Sequence, residues 1–586
     1  MKKLTFSFGL IALSLITNAQ NLPKGLTDNE KVILEDYYRN RSLDSRSITT
    51  PPSGSIRSMA EWEEIQTLVV TWTGGYNGIH SQIIDAAQEE CQVVIVCSDS
   101  NNVITQLNTR GVPLTNLKFV EGPFNSVWVR DYAANTVYKN DVGDLLLVDW
   151  IYNRPRPDDD EMPVLHAAAK NIDLYQMLVA PDDMVNTGGN WMVDGFGTAF
   201  ASELIIEENE PGNPYSVSAK TEPQIDGLVQ TWLGIDRYIK MPVLPFDGIH
   251  HIDMHMKLLD EETLLVSKYP TGVADGPQIE ANIQYVLSTY NSVYGTPYKI
   301  VWITVPPSSS GSYPDAGGYY RTYANNVFVN KTLILPTYRA EYDTTAIRTL
   351  KEALPGYKIV GIDVDNSSEN LIASSGAIHC ITHSIGVNDP LLISHQRLED
   401  TYDNLNPYQV TAMVKHNSGI ASATLFWTTD TTAGYTAVSM TNTSGDDWSA
   451  LIPAQAQGSK IFYYIHAAAN NGKQQVRPIV APQGYWMFRI LGAASHISET
   501  DMQLNAPYPN PASAITVIPV SQLNAGITHV YITDITGQTV KDIFTGNAPA
   551  GDRNYFFDAG SFAAGSYFVV VECNNYKVTK PLVIAH

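Results

Sequence analysis

The run Gln66-Thr67-Leu68-Val69-Val70-Thr71-Trp72, then residues 78–89, then Cys91-Gln92-Val93-Val94-Ile95-Val96-Cys97 together decide the fold class. The outer pieces are short, apolar and rich in β-branched residues, the composition of buried strands. Between them Ile79, Ile83, Ile84 and Ala87 recur at helical spacing. Strand, helix and strand within one stretch predict a mixed α/β architecture. Working outward, residues 103–109, 278–290 and 344–354 read as helices. Residues 299–305 and 358–364 read as strands, and 327–335 as two short strands about Asn330-Lys331. The strict rhythm of a doubly wound sheet is missing, and neither G-x-G-x-x-G nor a P-loop occurs. That argues against a nucleotide enzyme.

This α/β pattern covers residues 58–392. Beyond it only short alternating strands follow, at 409–415, 423–428, 435–440, 460–467 and 485–490, which predicts an all-β sandwich over 393–492. A last all-β unit, 500–586, opens at Tyr508-Pro509-Asn510-Pro511. At the other end Lys2 and Lys3 precede an apolar run and Thr17-Asn18-Ala19, so residues 1–19 read as a secretory signal and the mature chain is expected to start near Gln20. Residues 20–57 read as a pro-segment or linker, most clearly over 42–53, which are rich in Ser, Thr, Arg and Pro.

The chain has 586 residues and a net charge of −23. Such acidity opposes binding to nucleic acid or an anionic membrane, and otherwise serves mainly solubility. Apart from the signal, no segment approaches the ~20 apolar residues of a membrane span. An exported chain with only Cys91, Cys97, Cys380 and Cys573 carries no disulfide framework. Cys91 and Cys97 bracket a strand and would lie about 20 Å apart, beyond bridging distance. Cys380 is therefore a candidate free thiol.

Four local clusters could carry chemistry, each with a structural alternative. Trp128-Val129-Arg130-Asp131-Tyr132 is either a structural ion pair or a carboxylate beside an aromatic wall, suited to a planar cation. Thr187-Gly188-Gly189-Asn190 is either a turn or backbone brought close to a ligand. In His250-His251-Ile252-Asp253-Met254-His255, strand periodicity would place His251 and Asp253 on one face. A metal reading of His251, Asp253 and His255 is the alternative, but no second cluster of Cys or His at ligand spacing supports it. Gly376-Ala377-Ile378-His379-Cys380-Ile381-Thr382 holds the thiol. His379, its sequence neighbour, would face away from it, and His251 is the leading candidate base. A thiol, a histidine and two carboxylates suit hydrolysis of a guanidinium group. Carboxylates orient the planar cation, the thiolate attacks its central carbon, and the histidine moves protons.

Six motifs in this order resemble agmatine deiminases and bacterial peptidyl-arginine deiminases: Met59-Ala60-Glu61-Trp62-Glu63, Trp128-Val129-Arg130-Asp131, Gly188-Gly189-Asn190, His251-Ile252-Asp253, Tyr323-Ala324-Asn325 and His379-Cys380-Ile381-Thr382. The resemblance implies a five-bladed α/β propeller followed by an immunoglobulin-like sandwich, and a reaction that needs no organic cofactor and no catalytic metal. It also implies roles: Cys380 as nucleophile, His251 as acid/base, Asp131 and Asp253 as guanidinium clamps, Asn325 as a further catalytic polar group, and Trp128 and Asn190 lining the pocket. The substrate would be a peptidyl arginine or a small guanidine such as agmatine, with citrulline and ammonia as products in the arginine case. Asn153-Arg154-Pro155-Arg156-Pro157 resembles the arginine pair that grips a substrate's terminal carboxylate, the alternative being a solvated loop. Phe246-Asp247-Gly248-Ile249-His250 lacks the family's tyrosine before the catalytic histidine. The last residues, with Asp534-Ile535-Thr536-Gly537 and Gly565-Ser566-Tyr567-Phe568, resemble the small β-sandwich sorting domain recognised by the type IX secretion machinery. An amidinotransferase or a catalytically inactive surface adhesin are the rival readings.

Overall fold

Between Ile56 and Gly386 five sheets of three or four strands follow one repeated plan, and a two-stranded pair, Ile151–Tyr152 with Val185–Asn186, lies beside them. In the computed structural model, Ile65–Trp72 leads into the helix Asn77–Ala87, and Gln92–Cys97 returns parallel to the first strand. The same strand, helix and parallel strand recur from Leu145–Asp149 to Asp173–Gln176, and from Thr198–Ser202 to Arg237–Met241. They recur again from Thr263–Lys268 to Lys299–Thr304, and from Thr332–Thr337 to Lys358–Asp363. Four of these units are entered through an antiparallel strand: Asn135–Lys139, Met192–Val193, Met256–Leu258 and Val327–Val329. The unit at Ile65 takes its antiparallel partner from the far end of the region, since His383–Gly386 pairs with Ile65–Trp72. Leu68, Val69, Val70 and Val93 to Val96 are almost wholly buried. Strands covered on both faces read as continuous apolar runs, which is why these segments stood out.

The structure describes residues 22–40, 48–273, 275–491, 502–523, 525–573 and 576–585. The expected signal, residues 1–19, and residues 20–21 and 41–47 of the expected linker lie outside them. The chain divides into one compact unit reaching Leu491 and a second, Gly492–His586. Within the first, residues 392–489 form two β-sheets packed over Val410, Val414, Leu425, Ile452, Ile461, Ile465 and Phe488. Lys473 meets Glu64 at 2.7 Å and Arg477 meets Glu261 at 3.0 Å, fastening these sheets to the α/β region. The second unit has two sheets of its own, with Ile518, Val530, Ile532, Val569 and Val571 in its core.

Two expectations change. His251 and Asp253 are not on a strand. His250 is left-handed (φ 58°), which ends the extended run, and Ile252–Met254 is a 3-10 turn. The stretch expected as linker contains a helix, Asp28–Arg39. Thr27 and Glu30 form a reciprocal capping box at its start, and Leu34 and Tyr38 pack on Ile151, Leu178, Val185 and Tyr215. That apolar stripe is only two residues wide, too little to register as helical periodicity among polar neighbours.

Candidate active site

The repeated plan explains how distant motifs converge. A short turn lies immediately before each antiparallel strand: Val129–Tyr132, Gly188–Asn190, Ile252–Met254, residues 323–325 and His379–Ile381. Each turn delivers one motif, so Asp131, Gly189, Asp253, Asn325 and Cys380 occupy equivalent places in successive sheets.

Cys380 is fully buried. Its Sγ accepts from Asn325 Nδ2 at 3.2 Å and lies 3.7 Å from Asp253 Oδ2. Asn325 Oδ1 in turn accepts from the His379 and Cys380 backbone N–H groups at 3.0 and 3.4 Å, fixing the turn that bears the thiol. Asp131 Oδ1 accepts from Gly189 N at 3.1 Å and lies 3.5 Å from His251 Nδ1. A Cβ on Gly189 would collide with His251 Nδ1 and come within 2.9 Å of Asp131 Oδ1, so only glycine lets these two groups approach. His251 is buried, and neither ring nitrogen has a hydrogen-bond partner.

A cation occupies the centre of this cluster, and it belongs to the chain itself. Lys24 Nζ donates to Cys380 Sγ at 2.8 Å and lies 3.7 Å from Asp131 Oδ1 and 3.8 Å from Asp253 Oδ1. Its side chain is fully buried. Burial works against the charge of Lys24, but Asp131, Asp253 and Cys380 outweigh it and hold the ammonium protonated well above its ordinary range. The thiol is pushed up to about 12 by burial and by Asp253, with Lys24 opposing. Burial also raises Asp131. Asp253 is lowered despite burial, because Lys24 and a hydrogen bond from His379 favour its charge. His251 is held well below its usual value by burial and by Lys24, so its imidazole is neutral.

Arg154 and Arg156 do not form a solvated loop: both are buried. Arg154 Nε donates to the Lys24 carbonyl at 3.0 Å. Arg156 Nε donates to Glu30 Oε1 at 2.7 Å and its Nη2 to the Pro23 carbonyl at 2.8 Å. Trp128 Nε1 donates to the Leu22 carbonyl at 2.9 Å. Asn190 sits in the turn beside Gly189, but its amide bonds the Ser202 backbone at 2.8 and 3.3 Å and braces that turn. Phe246 is about half exposed. Among the described residues no three His, Cys, Asp or Glu side chains gather into a metal-ligand group, the run from His250 to His255 included.

Sequence reading missed Lys24 altogether. The only local signal was Thr27-x-x-Glu30, the pattern of a capping box, which marks an ordered element rather than a site. It also left Glu61 and His379 without roles. His379 Nδ1 lies 2.8 Å from Asp253 Oδ2, and its Nε2 lies 2.6 Å from Glu61 Oε2.

Named proteins resemble this chain in sequence. A protein of Vibrio parahaemolyticus provisionally named an agmatine deiminase is 25% identical over 374 residues, spanning 58% of this chain and 98% of its own. One of Mycoplasma mycoides, named likewise, is 25% identical over 303 residues, spanning 47% of this chain and 79% of its own. Among solved structures, agmatine deiminase of Enterococcus faecalis shares 20% identity at a TM-score of 0.47, covering 58% of this chain and 99% of that one. The C. jejuni agmatine deiminase shares 21% at 0.46, covering 56% and 96%. The chain is a hydrolase that acts on C–N bonds of linear amidines. The family model for Porphyromonas-type peptidyl-arginine deiminase matches residues 57–385, more than half its length, and the chain belongs to that family. Residues 506–585 match the secretion system C-terminal sorting domain, which marks the protein for secretion or the cell surface. Among the described residues no helix is long and apolar enough to cross a membrane.

Proposed function

We propose that this protein is an exported peptidyl-arginine deiminase that converts arginine in polypeptides to citrulline through a covalent intermediate on Cys380. The observation that carries the reading is the seat of Lys24: a cation on an aliphatic stem, between two carboxylates and 2.8 Å from a buried thiol. A guanidinium entering that seat would be oriented by Asp131 and Asp253. Its positive charge favours ionisation of Cys380, whose thiol otherwise resists losing its proton beside Asp253. The thiolate bonds to the central carbon. The carbon–nitrogen bond to a terminal amino group then breaks as the proton given up by the thiol passes to the departing nitrogen, which leaves as ammonia. His251, neutral and unpartnered, next takes a proton from water, whose oxygen bonds to the same carbon as the carbon–sulfur bond breaks. The sum is guanidinium plus water giving a ureido group and ammonium.

Agmatine is the second reading, favoured by the names of the curated relatives. Against it stand Arg154 and Arg156, buried donors that meet main-chain carbonyls. Agmatine has no carbonyl to offer them, and unmet buried donors are costly. In the same reading the five sheets are the blades of a propeller closed by His383–Gly386 against Ile65–Trp72. Residues 58–392 are then the catalytic domain, and 393–492 an immunoglobulin-like sandwich.

The test is citrulline formation from arginine peptides, free arginine and agmatine, by the wild-type chain, Lys24→Ala and Cys380→Ala. Peptide turnover that disappears in Cys380→Ala is expected. Turnover of agmatine alone would move the chain to the second reading, and no turnover of any guanidine by either active form would reject both.

A further inference from the structure

The segment that delivers Lys24 is bound through its main chain on both sides of that residue. The carbonyls of Leu22, Pro23, Lys24 and Gly25 accept from Trp128 Nε1 at 2.9 Å, Arg156 Nη2 at 2.8 Å, Arg154 Nε at 3.0 Å and Arg156 Nη2 at 3.3 Å. The Lys24 N–H donates to the Ser374 carbonyl at 3.0 Å. Four successive carbonyls and one amide are thus met by groups of the groove, which is how an enzyme holds a peptide rather than how a linker crosses a surface. Beyond Gly25 the helix Asp28–Arg39 anchors the segment. Glu30 takes Arg156 at 2.7 Å, and Tyr38 Oη donates to the Tyr152 carbonyl at 2.5 Å.

The side chain completes the likeness. In lysine, Nζ stands five bonds from Cα, the same count as the central guanidinium carbon, Cζ, in arginine. Lys24 Nζ therefore sits where that carbon would, at 2.8 Å from Cys380 Sγ. A near-attack geometry places reacting atoms about 3–3.5 Å apart. An ammonium has no electrophilic carbon, so it is held as a substrate would be and cannot react.

We propose that residues 22–39 are a tethered pseudosubstrate, and that their seating identifies the substrate as an arginine inside a continuous polypeptide, with chain on both sides of it. This rests on the deiminase reading above. It departs from the terminal-carboxylate expectation in a definite way: Arg154 and Arg156 contact three consecutive carbonyls of a chain that continues past the seated residue. While the segment is in place, the guanidinium seat is closed.

Two measurements on the full chain test this. The first is the rate at which Cys380 is alkylated by chloroacetamidine, a small cationic thiol reagent, followed by intact mass. A tethered occupant acts at an effective concentration in the millimolar range, so Lys24→Ala should react about tenfold faster than wild type or more. Glu30→Ala, which keeps Lys24 but loses the Arg156 anchor, should fall between them. The second places the substrate in the tether: in Lys24→Arg, residue 24 should become citrulline in a concentration-independent reaction. Peptide mass spectrometry would read the exchange of an imine nitrogen for oxygen, and Lys24→Arg/Cys380→Ala should lack it. Equal alkylation of wild type and Lys24→Ala would overturn the block. Peptide turnover without conversion of Arg at position 24 would overturn the substrate-like seating. Loss of peptide turnover in a folded Lys24→Ala protein would overturn it too, by making Lys24 part of the catalyst. Faster alkylation with no turnover of any guanidine would support the closed seat while rejecting the deiminase reading, so the two failures are distinct.

Discussion

The His379 imidazole lies 2.8 Å from Asp253 through Nδ1, and its other nitrogen lies 2.6 Å from Glu61. Glu61 is itself met by Lys257 at 2.6 Å and by Arg130 at 3.8 Å. Burial works against its charge, but Lys257, His379 and Arg130 together hold it ionised well below the usual carboxylate range. Held between the two carboxylates, the ring is steadied against Asp253. Asp253 is thereby oriented through His379 by Glu61.

Glu61→Gln should therefore weaken catalysis without touching the reacting atoms. A hydrogen bond to a charged group contributes about 1.5–3 kcal/mol. At about 1.4 kcal/mol per decade, that corresponds to roughly a tenfold to hundredfold loss in kcat/KM on an arginine peptide. In the proposed reading Asp253 orients the guanidinium, so much of the loss should appear in KM. A thermal midpoint that falls while kcat/KM holds steady would assign Glu61 to the fold alone.

Glycine at 189 is a requirement of the site, and glycine at 227 is not. Gly189→Ala would drive a methyl group into His251 and against Asp131 Oδ1 at 2.9 Å. Gly227 lies inside the helix Glu222–Leu233 with no atom near its missing Cβ. Gly227→Ala should leave turnover unchanged and stabilise the protein by about 0.5–1 kcal/mol. Gly189→Ala should abolish turnover while retaining the wild-type circular dichroism spectrum. Equal activities for the two variants would contradict this assignment.

The thiol gives a pH signature. Burial and Asp253 push Cys380 up to about 12, with Lys24 pulling the other way, so removing Lys24 raises it further. In Lys24→Ala protein, alkylation of Cys380 by neutral iodoacetamide should keep climbing with pH and show no plateau up to about pH 10, since only the thiolate reacts. Adding Asp253→Asn removes a neighbouring negative charge, which makes the thiolate easier to form and should move the whole curve to lower pH. A plateau near the value of an ordinary cysteine would mean that the site does not raise the thiol.

How much of this was legible in the sequence follows from where each signal resides. Strands such as residues 65–72 are buried on both faces, and their apolar runs stand out. Cys380, Asp131, Asp253 and Asn325 lie in short motifs whose residue types are unusual together. Their convergence was not legible from spacing, because it depends on five turns at equivalent places in five sheets. The 3-10 turn at Ile252–Met254 was hidden by a run of residues that would suit a strand, and it is the left-handed His250 that decides otherwise. Lys24 was invisible for a different reason. One lysine in a polar stretch has no periodicity and no motif, and its meaning comes only from partners more than a hundred residues away, such as Asp131, Arg154 and Cys380.

The junction between the α/β region and the β-sheets after it should be sensitive to a single buried pair. Arg477 Nη2 lies 3.0 Å from Glu261 Oε2, with both side chains largely buried. Burial raises Glu261, with Arg477 opposing it. Arg477→Ala leaves a buried carboxylate without its partner, an arrangement that costs about 3–5 kcal/mol. The urea midpoint of the unit ending at Leu491 should drop accordingly, and Arg477→Ala/Glu261→Gln should recover most of the loss, because a neutral amide carries a much smaller desolvation penalty. The sign of the pH dependence is fixed as well. A carboxyl raised in the folded state binds more protons folded than unfolded, so stability falls as pH rises between the unfolded and folded values. Removing Arg477 raises the folded value further and widens that window. The deficit of Arg477→Ala relative to wild type should therefore be smaller at about pH 5 than at about pH 8. A deficit independent of pH would mean that the arginine contributes by packing its stem rather than by its charge.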